Sequence, residues 1–215
     1  MRHNSERVPG KNYRLLGGRP LYHHIVETLQ RVPEIDEVVI DTDSEKILDD
    51  AAQFFPGVKL LLRPAHLRSG ETPMNDVLLK TIEQLQSDII LQTHSTNPFL
   101  SSEVLSRALS TFINKGDEVD SVFGVTRLQA RLWDAKTQPI NHDPAVLLRT
   151  QDLPPVFLEN SCFYIFRPDL VRRTGNRIGQ SPLMVEVPAG QAVDIDEESD
   201  FRLAEAIETM RKVEV

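Results

Sequence analysis

Short apolar runs alternate along the chain with longer segments whose apolar residues recur at helical spacing. The short runs are nearly continuous in apolar residues, which is typical of strands in a parallel sheet that is covered on both faces. This alternation predicts an α/β fold with a mainly parallel sheet flanked by helices. The predicted strands cover residues 37–41, 58–62, 88–92, 121–125 and 162–166.

Four segments have the apolar spacing of amphipathic helices. Pro20 precedes the first of them, a residue that suits the first turn of a helix. The last helix is predicted to begin near Glu197. The predicted apolar faces consist of Leu21, Ile25, Leu29 and Val32; Met74, Leu78, Ile82 and Leu85; Val104, Leu105, Ala108, Leu109 and Phe112; and Leu203, Ile207 and Met210.

The stretch 127–159 interrupts this alternation. It contains Trp133 and four prolines and has no clean periodicity. We interpret it as an arm or cap inserted into one domain that covers residues 1–215. Inserted segments of this kind form dimer contacts or cover a ligand, and the composition does not choose between these roles.

The composition excludes several classes of protein. The chain has 215 residues, 40% of them hydrophobic and 26% charged, which are values of a folded globular protein. No apolar run approaches the roughly 18 residues of a membrane-spanning helix. The net charge of −8 gives no general attraction for nucleic acid backbones. Cys162 is the only cysteine, which excludes an internal disulfide framework and fits a cytoplasmic protein.

Positive charge is concentrated near the start of this acidic chain. Residues 2–19 contain five basic residues and one acidic residue, a net charge of +4. Pro9 and Gly10 predict a turn whose backbone N–H groups can surround an anion. Arginine and lysine side chains there can bind phosphate oxygens, arginine in bidentate fashion. The segment is therefore a candidate anion pocket, and a solvated basic loop is the alternative.

The tripeptide Asp194-Ile195-Asp196 is a candidate cation site. At the end of a strand, alternation would place both carboxylates on one face about 7 Å apart, where they can share Mg²⁺. The alternative is that Asp196 caps the helix predicted at Glu197. Capping leaves Asp194 without a role, and both interpretations can hold together.

A polar run follows the strand predicted at 88–92. Its side chains would lie in the binding crevice, because ligands of open α/β sheets bind beyond the carboxyl ends of the strands. A plain polar turn before the next helix is the alternative. The candidate substrate-binding residues in this run are Gln92, His94, Thr96 and Asn97.

Taken together and in this order, these segments resemble the acylneuraminate cytidylyltransferase family. The resemblance covers most of the chain and is strongest over residues 2–12, which have the pattern R-x-N-S-x-x-x-P-x-K-N. It continues at Gly18-Arg19-Pro20-Leu21, Asp41-Thr42-Asp43, Leu62-Arg63-Pro64-Ala65, Asn160, Asp194-Ile195-Asp196 and Asp200-Phe201.

The resemblance implies a Rossmann-like nucleotidyltransferase fold and a homodimer with 127–159 as the candidate interface. It also implies the transfer of CMP from CTP to an acidic sugar such as a sialic acid, with release of pyrophosphate. The implied residues are Arg2, Ser5, Arg7 and Lys11 on the triphosphate, Asn12 and Arg63 on the nucleotide, and Asp194 and Asp196 on Mg²⁺. Arg2, Lys11 and Asp196 would be catalytic, and Gln92, His94, Thr96, Asn97, Arg131 and Asn160 would contact the sugar.

The sequence departs from the family pattern in three places. The loop from Gln92 to Pro98 is longer than the family's Q-P-T-S-P, so either Gln92 or His94 is the candidate for the glutamine that contacts the sugar. The family has a β-strand before the basic loop, and here Arg2 begins the loop, so we expect the natural start to lie upstream of Met1. A basic residue common in the family is replaced by Leu158, and Arg131 is a candidate substitute. Two alternatives stay open: a nucleotidyltransferase for another nucleotide or sugar, and a non-catalytic relative that only binds its ligands.

Overall fold

The strands form three groups in the computed structural model, which describes residues 1–213. A short hairpin comes first, followed along the chain by a parallel pair and a four-stranded sheet. The strands are β1 (Leu15–Leu16), β2 (Arg19–Pro20), β3 (Val39–Thr42), β4 (Lys59–Leu62), β5 (Ile90–Thr93), β6 (Ser121–Leu128), β7 (Val156–Phe166) and β8 (Pro182–Glu186). The helices are α1 (Leu21–Gln30), α2 (Glu45–Phe54), α3 (Met74–Ile82), α4 (Ser102–Lys115), α5 (Pro168–Thr174) and α6 (Glu198–Val213).

The predicted α/β fold is confirmed, and its sheet directions follow from the connections. In the order β5-β7-β6-β8, strand β7 is antiparallel to both of its neighbours, and β6 and β8 are parallel. Three of these four strands therefore share one direction. β7 runs the other way because the arm returns the chain directly from β6, as a long hairpin does.

Strand β3 pairs with β4 and strand β5 pairs with β7, and β3 and β5 do not pair with each other. The strand that the resemblance implies ahead of the basic loop is not among residues 1–213. Both β3 and β5 instead line one large cavity of about 1440 Å³. The Met1 amino group donates a hydrogen bond to the Asp41 carbonyl oxygen at the edge of β3. The expectation of an upstream start stays a prediction.

A small apolar cluster holds the first and last segments of the chain together. Val8 and Leu16 pack there with Ile195 and Phe201, and all four side chains are fully buried. The cluster corrects the predicted face of the last helix: α6 buries Phe201 and Ala204, while Leu203 and Met210 are exposed. The helix is turned so that its buried stripe meets the hairpin residues. This packing places residues 2–12 beside residues 194–196.

The arm extends from the ends of β6 and β7 and exposes apolar side chains. Residues 129–155 contain one 3₁₀ turn, Thr150–Asp152, and an isolated bridge between Trp133 and Pro139. Leu147 is 92% exposed. Within residues 1–213, no helix has both the length and the apolar character that a membrane crossing needs.

Candidate active site

The basic loop is shaped by a buried apolar anchor and a glycine. Val8 inserts into the core, and its N–H donates to the Ser5 hydroxyl oxygen. Gly10 has a φ of 67°, a left-handed conformation that glycine adopts without strain. The chain then enters the 3₁₀ turn Lys11–Tyr13. Because of this path, Arg2, Ser5, Arg7 and Lys11 all line the cavity.

Lys11 connects the basic loop to residues 195 and 196. Its side chain is only 11% exposed, and its Nζ donates to the Ile195 carbonyl oxygen at 2.6 Å. The same Nζ lies 3.5 Å from Asp196 Oδ1, and Arg7 Nη2 lies 2.9 Å from that oxygen. The basic loop and the aspartate pair therefore face each other in one cleft.

The two aspartates lie on one side because Ile195 is buried between them. The Ile195 N–H donates to the Thr96 carbonyl oxygen at 2.9 Å, and both aspartates line the cavity. The segment is irregular backbone, so its prediction as a strand end was wrong although the shared face holds. Helix α6 is capped by Asp200, whose carboxylate accepts from the N–H groups of Asp196 and Glu197. The Asp196 carboxylate contacts the basic loop instead.

Asp194 has the chemistry of a cation ligand. Its Oδ1 is buried and has no hydrogen-bond partner within residues 1–213. Burial raises the pKa of this carboxyl group, a side-chain hydrogen bond from Thr96 lowers it, and the nearby Asp196 carboxylate raises it. An unpaired buried carboxylate oxygen is costly, and a divalent cation would compensate it. The described residues hold no group of three potential ligands, so phosphate and water oxygens would have to complete the coordination.

Asn12 connects the basic loop to the loop after β5. Its side chain is buried, and its Nδ2 donates to the Arg2 carbonyl oxygen at 2.7 Å. The Ser95 hydroxyl donates to Asn12 Oδ1 at 2.6 Å. All three residues line the cavity, and these bonds fix the position of the loop that carries the positive charge.

Arg63 lines the cavity as part of a buried ion pair. Its Nε lies 2.6 Å from Asp41 Oδ1, and the two side chains are only 6% and 14% exposed. The other carboxylate oxygen of Asp41 accepts from the Thr81 hydroxyl at 2.9 Å. Much of the Arg63 hydrogen-bonding capacity is therefore used within the protein.

Gln92 and His94 lie together at the end of β5. Gln92 Nε2 is 3.4 Å from His94 Nε2, and Gln92 Oε1 accepts from Arg177 Nη1 at 2.8 Å. Burial lowers the pKa of His94 to about 4, and the positive charge of Arg177 acts in the same direction. His94 is therefore a neutral imidazole at pH 7.

Three predicted substrate-binding residues do not line the cavity in the described chain. Asn97 is fully buried and donates to the Val193 carbonyl oxygen. Asn160 bridges β6 and β7 by bonding the Thr126 hydroxyl. Arg131 lies in the arm, where its guanidinium donates to the Leu148 carbonyl oxygen. Thr96, by contrast, lines the cavity beside the aspartates.

Sequence reasoning missed Arg177, Ser95 and Asp41 as cavity residues. Ser95 lies inside the polar run after β5, so its position was available as a signal. Asp41 lies in a quoted motif, but its pairing with Arg63 depends on the register of β3 and β4. Arg177 lies in the loop between α5 and β8, two elements that the periodicity did not predict.

Comparison with known proteins identifies the family of this chain. The family model described as cytidylyltransferase matches residues 1–213. An N-acylneuraminate cytidylyltransferase A from Danio rerio is 28% identical over 95% of this chain. A CMP-N,N'-diacetyllegionaminic acid synthase from Legionella pneumophila is 26% identical over 96% of this chain. The chain spans 48% of the zebrafish protein's length and 92% of the Legionella protein's length.

A solved structure supports the fold separately. A CMP:2-keto-3-deoxy-manno-octonic acid synthetase complexed with CTP superimposes with a TM-score of 0.71 at 16% identity. The superposition covers 100% of this chain and 97% of that one. The family model and the two relatives confirm the resemblance to the acylneuraminate cytidylyltransferases, and the superposition confirms the nucleotidyltransferase fold.

Proposed function

Because the chain belongs to the cytidylyltransferase family, we propose that it transfers CMP from CTP to an acidic sugar of the nonulosonic acid class. The sugar's anomeric hydroxyl oxygen forms a bond to the α-phosphorus of CTP. The bond from that phosphorus to the bridging oxygen breaks, and pyrophosphate leaves with the electron pair. The balanced products are a CMP-sugar, pyrophosphate and one proton.

The observation that carries this proposal is the contact of Asp196 with Arg7 and Lys11 in one cleft. A nucleoside triphosphate and its cation need positive and negative protein groups side by side. We assign Arg2, Ser5, Arg7 and Lys11 to the phosphates, where they stabilise charge that moves onto the departing pyrophosphate. Catalysis then consists mostly of alignment and charge stabilisation, with no covalent step on the protein.

We assign Mg²⁺ to Asp194 and Asp196. The unpartnered Asp194 Oδ1 supports this assignment, as does the hard oxygen character of both ligands. When bound, the cation would neutralise negative charge on the reacting phosphate. Asn12 and Arg63 would hold the nucleotide portion, and Gln92, His94 and Thr96, which line the same cavity, would contact the sugar.

Pyrophosphate release over a matrix of nucleotides and acidic sugars tests the proposal. CTP, UTP, ATP and GTP are each combined with N-acetylneuraminic acid, N,N'-diacetyllegionaminic acid and 3-deoxy-manno-octulosonate in the presence of Mg²⁺. We expect pyrophosphate release in the mixtures that contain CTP and an acidic sugar, and none with UTP, ATP or GTP. Pyrophosphate release with a different nucleotide would favour a nucleotidyltransferase for another nucleotide. Binding of CTP without release would favour a non-catalytic relative that only binds its ligands.

The variant Asp196→Asn tests the role of the carboxylate in this cleft. It keeps the side-chain shape but removes the negative charge, so we expect kcat to fall by about 100-fold or more. Asp169→Asn is the matched control, because Asp169 forms an exposed ion pair with Arg172 and does not line the cavity. Near-normal turnover of Asp196→Asn at unchanged thermal stability would contradict the cation assignment.

We also propose that the arm contacts a second copy of the chain. Its exposed apolar side chains, Ile140, Val146, Leu147, Leu148 and Trp133, support this proposal. Light scattering after size-exclusion chromatography should give twice the chain mass of 24.4 kDa. Leu147→Glu should shift the protein toward the single-chain mass, and a single-chain mass for the unmodified protein would refute the proposal.

A further inference from the structure

Arg177 is held in the cleft by two contacts that fix its guanidinium. Its Nη1 donates to Gln92 Oε1 at 2.8 Å. Its Cζ lies 3.5 Å from the centroid of the Tyr164 ring, which is a cation–π contact. The Tyr164 ring is itself fixed, because it is buried and its hydroxyl donates to Glu159. The guanidinium plane is therefore oriented before any ligand arrives.

The charge of Arg177 has no carboxylate counter-ion in the described part of the chain. Within residues 1–213, Arg7 and Lys11 pair with Asp196, and Arg63 pairs with Asp41. Arg2 also lines the cavity without such a pair, but it lies in the basic loop that is assigned to the phosphates. No carboxylate in the same range forms an ion pair with Arg177. A half-buried cation that lines a cavity without a counter-ion attracts an anionic ligand.

Other candidate cations near Gln92 are excluded as anion ligands by their position or their charge. His94 is uncharged at pH 7, so it offers a hydrogen bond and no positive charge. Arg131 lies in the arm and does not line the cavity. Position 158 is a leucine with an exposed side chain. Arg177 is the remaining cation beside Gln92.

We propose that Arg177 binds the carboxylate of the acidic sugar and thereby selects for acidic over neutral sugars. Its Nε and Nη2 donate no hydrogen bond within the described residues, so they can meet the two carboxylate oxygens as a planar fork. Gln92 acts as a positioning residue, because its carbonyl oxygen holds Nη1. This inference rests on the proposed function and identifies the residue that decides the substrate class.

The test compares Arg177→Gln with the wild type and with Arg173→Gln, an exposed arginine of α5 that serves as the matched control. Binding of CTP and of N-acetylneuraminic acid is measured by calorimetry, and pyrophosphate release is measured in parallel. Arg177→Gln should raise the Kd and KM of the acidic sugar by about 30-fold or more, since a charge-assisted fork is lost. The Kd for CTP should stay within about twofold in all three proteins.

The methyl ester of N-acetylneuraminic acid provides a readout that a purely structural role would not change. The wild type should bind the acid at least tenfold more tightly than the ester, and Arg177→Gln should bind both equally weakly. Arg177→Lys should recover part of the preference, because it restores the charge without the fork. Equal affinity of the wild type for acid and ester would overturn the proposal, as would an unchanged KM in Arg177→Gln.

The two proposals fail in different ways. Acid binding that depends on Arg177 in a protein that releases no pyrophosphate would contradict the proposed function and support the carboxylate site. Pyrophosphate release with CTP that is indifferent to Arg177→Gln would support the proposed function and overturn the carboxylate site. A parallel loss of CTP and sugar affinity in Arg177→Gln would also overturn it, because the effect would then be structural.

Discussion

The variant Arg63→Met tests whether the buried pair with Asp41 stabilises the fold as well as lining the cleft. The substitution keeps the apolar stem and removes the guanidinium, which leaves the Asp41 carboxylate 14% exposed without its cation. Removing one partner of a buried ion pair costs about 3–5 kcal/mol. We expect the lower end, because the Thr81 hydroxyl still donates to the other carboxylate oxygen.

The free energy of unfolding is measured by urea denaturation followed by far-ultraviolet circular dichroism. Trp133 fluorescence is a poor probe, because that residue lies in the exposed arm. Arg172→Met is the matched control: Arg172 pairs with Asp169 three residues away on α5, and such exposed pairs contribute about 0.5 kcal/mol or less. The control should therefore unfold almost like the wild type.

A double variant separates the ion pair from simple loss of packing. Asp41→Asn combined with Arg63→Met removes both charges, so it should recover about 2 kcal/mol relative to Arg63→Met alone. A loss below about 1 kcal/mol in Arg63→Met would refute the reasoning. The absence of any recovery in the double variant would show that the lost stability comes from packing.

Two further predictions concern buried titratable groups. The pKa of His94 is lowered to about 4 in the folded protein. Between pH 6.5 and pH 4 the unfolded chain therefore binds a proton at His94 that the folded chain does not, so the free energy of unfolding decreases as the pH is lowered. Between pH 7 and pH 4 this loss should amount to about 3 kcal/mol, and urea denaturation of His94→Gln should show a pH dependence weaker by that amount; identical curves would contradict it. Burial, with a smaller effect of Asp194, raises the pKa of the Cys162 thiol to about 12. Iodoacetamide at pH 8 should therefore leave Cys162 unmodified in the folded protein and alkylate it in 8 M urea, as mass spectrometry would detect, and rapid alkylation of the folded protein would refute the burial argument.

The sequence correctly predicted the elements that have a clear apolar pattern. Strands β3–β7 were each found near their predicted positions because each contains a nearly continuous apolar run, which is easy to recognise. Helix α2 was missed because it buries only Ile47 and Ala51 of the helix itself. Strand β8 was not predicted, and Val185 is its one buried residue.

The site was predictable in its residue types and less so in its contacts. The basic loop and the aspartate pair were both identified, and they do meet in the cleft. Their pairing joins residues 185 positions apart, and a single sequence contains no signal for a contact of that range. Arg177 was missed for the same reason: its partner Gln92 is 85 residues away and lies on a different element.

Apolar packing explains why the charges of this cleft meet at all. Surface ion pairs contribute too little to bring two distant segments together, and the side chains of Arg7 and Asp196 are 58% and 49% exposed. Val8 and Ile195 are fully buried in the same cluster, and each is next to or near the charged residues of its own segment. Burial of these two side chains contributes about 1.5–3 kcal/mol each, which exceeds what the exposed pair supplies. The apolar cluster therefore sets the relative position of the two segments. The charged side chains beside it can exchange their contacts with each other for contacts with a ligand without loss of this packing.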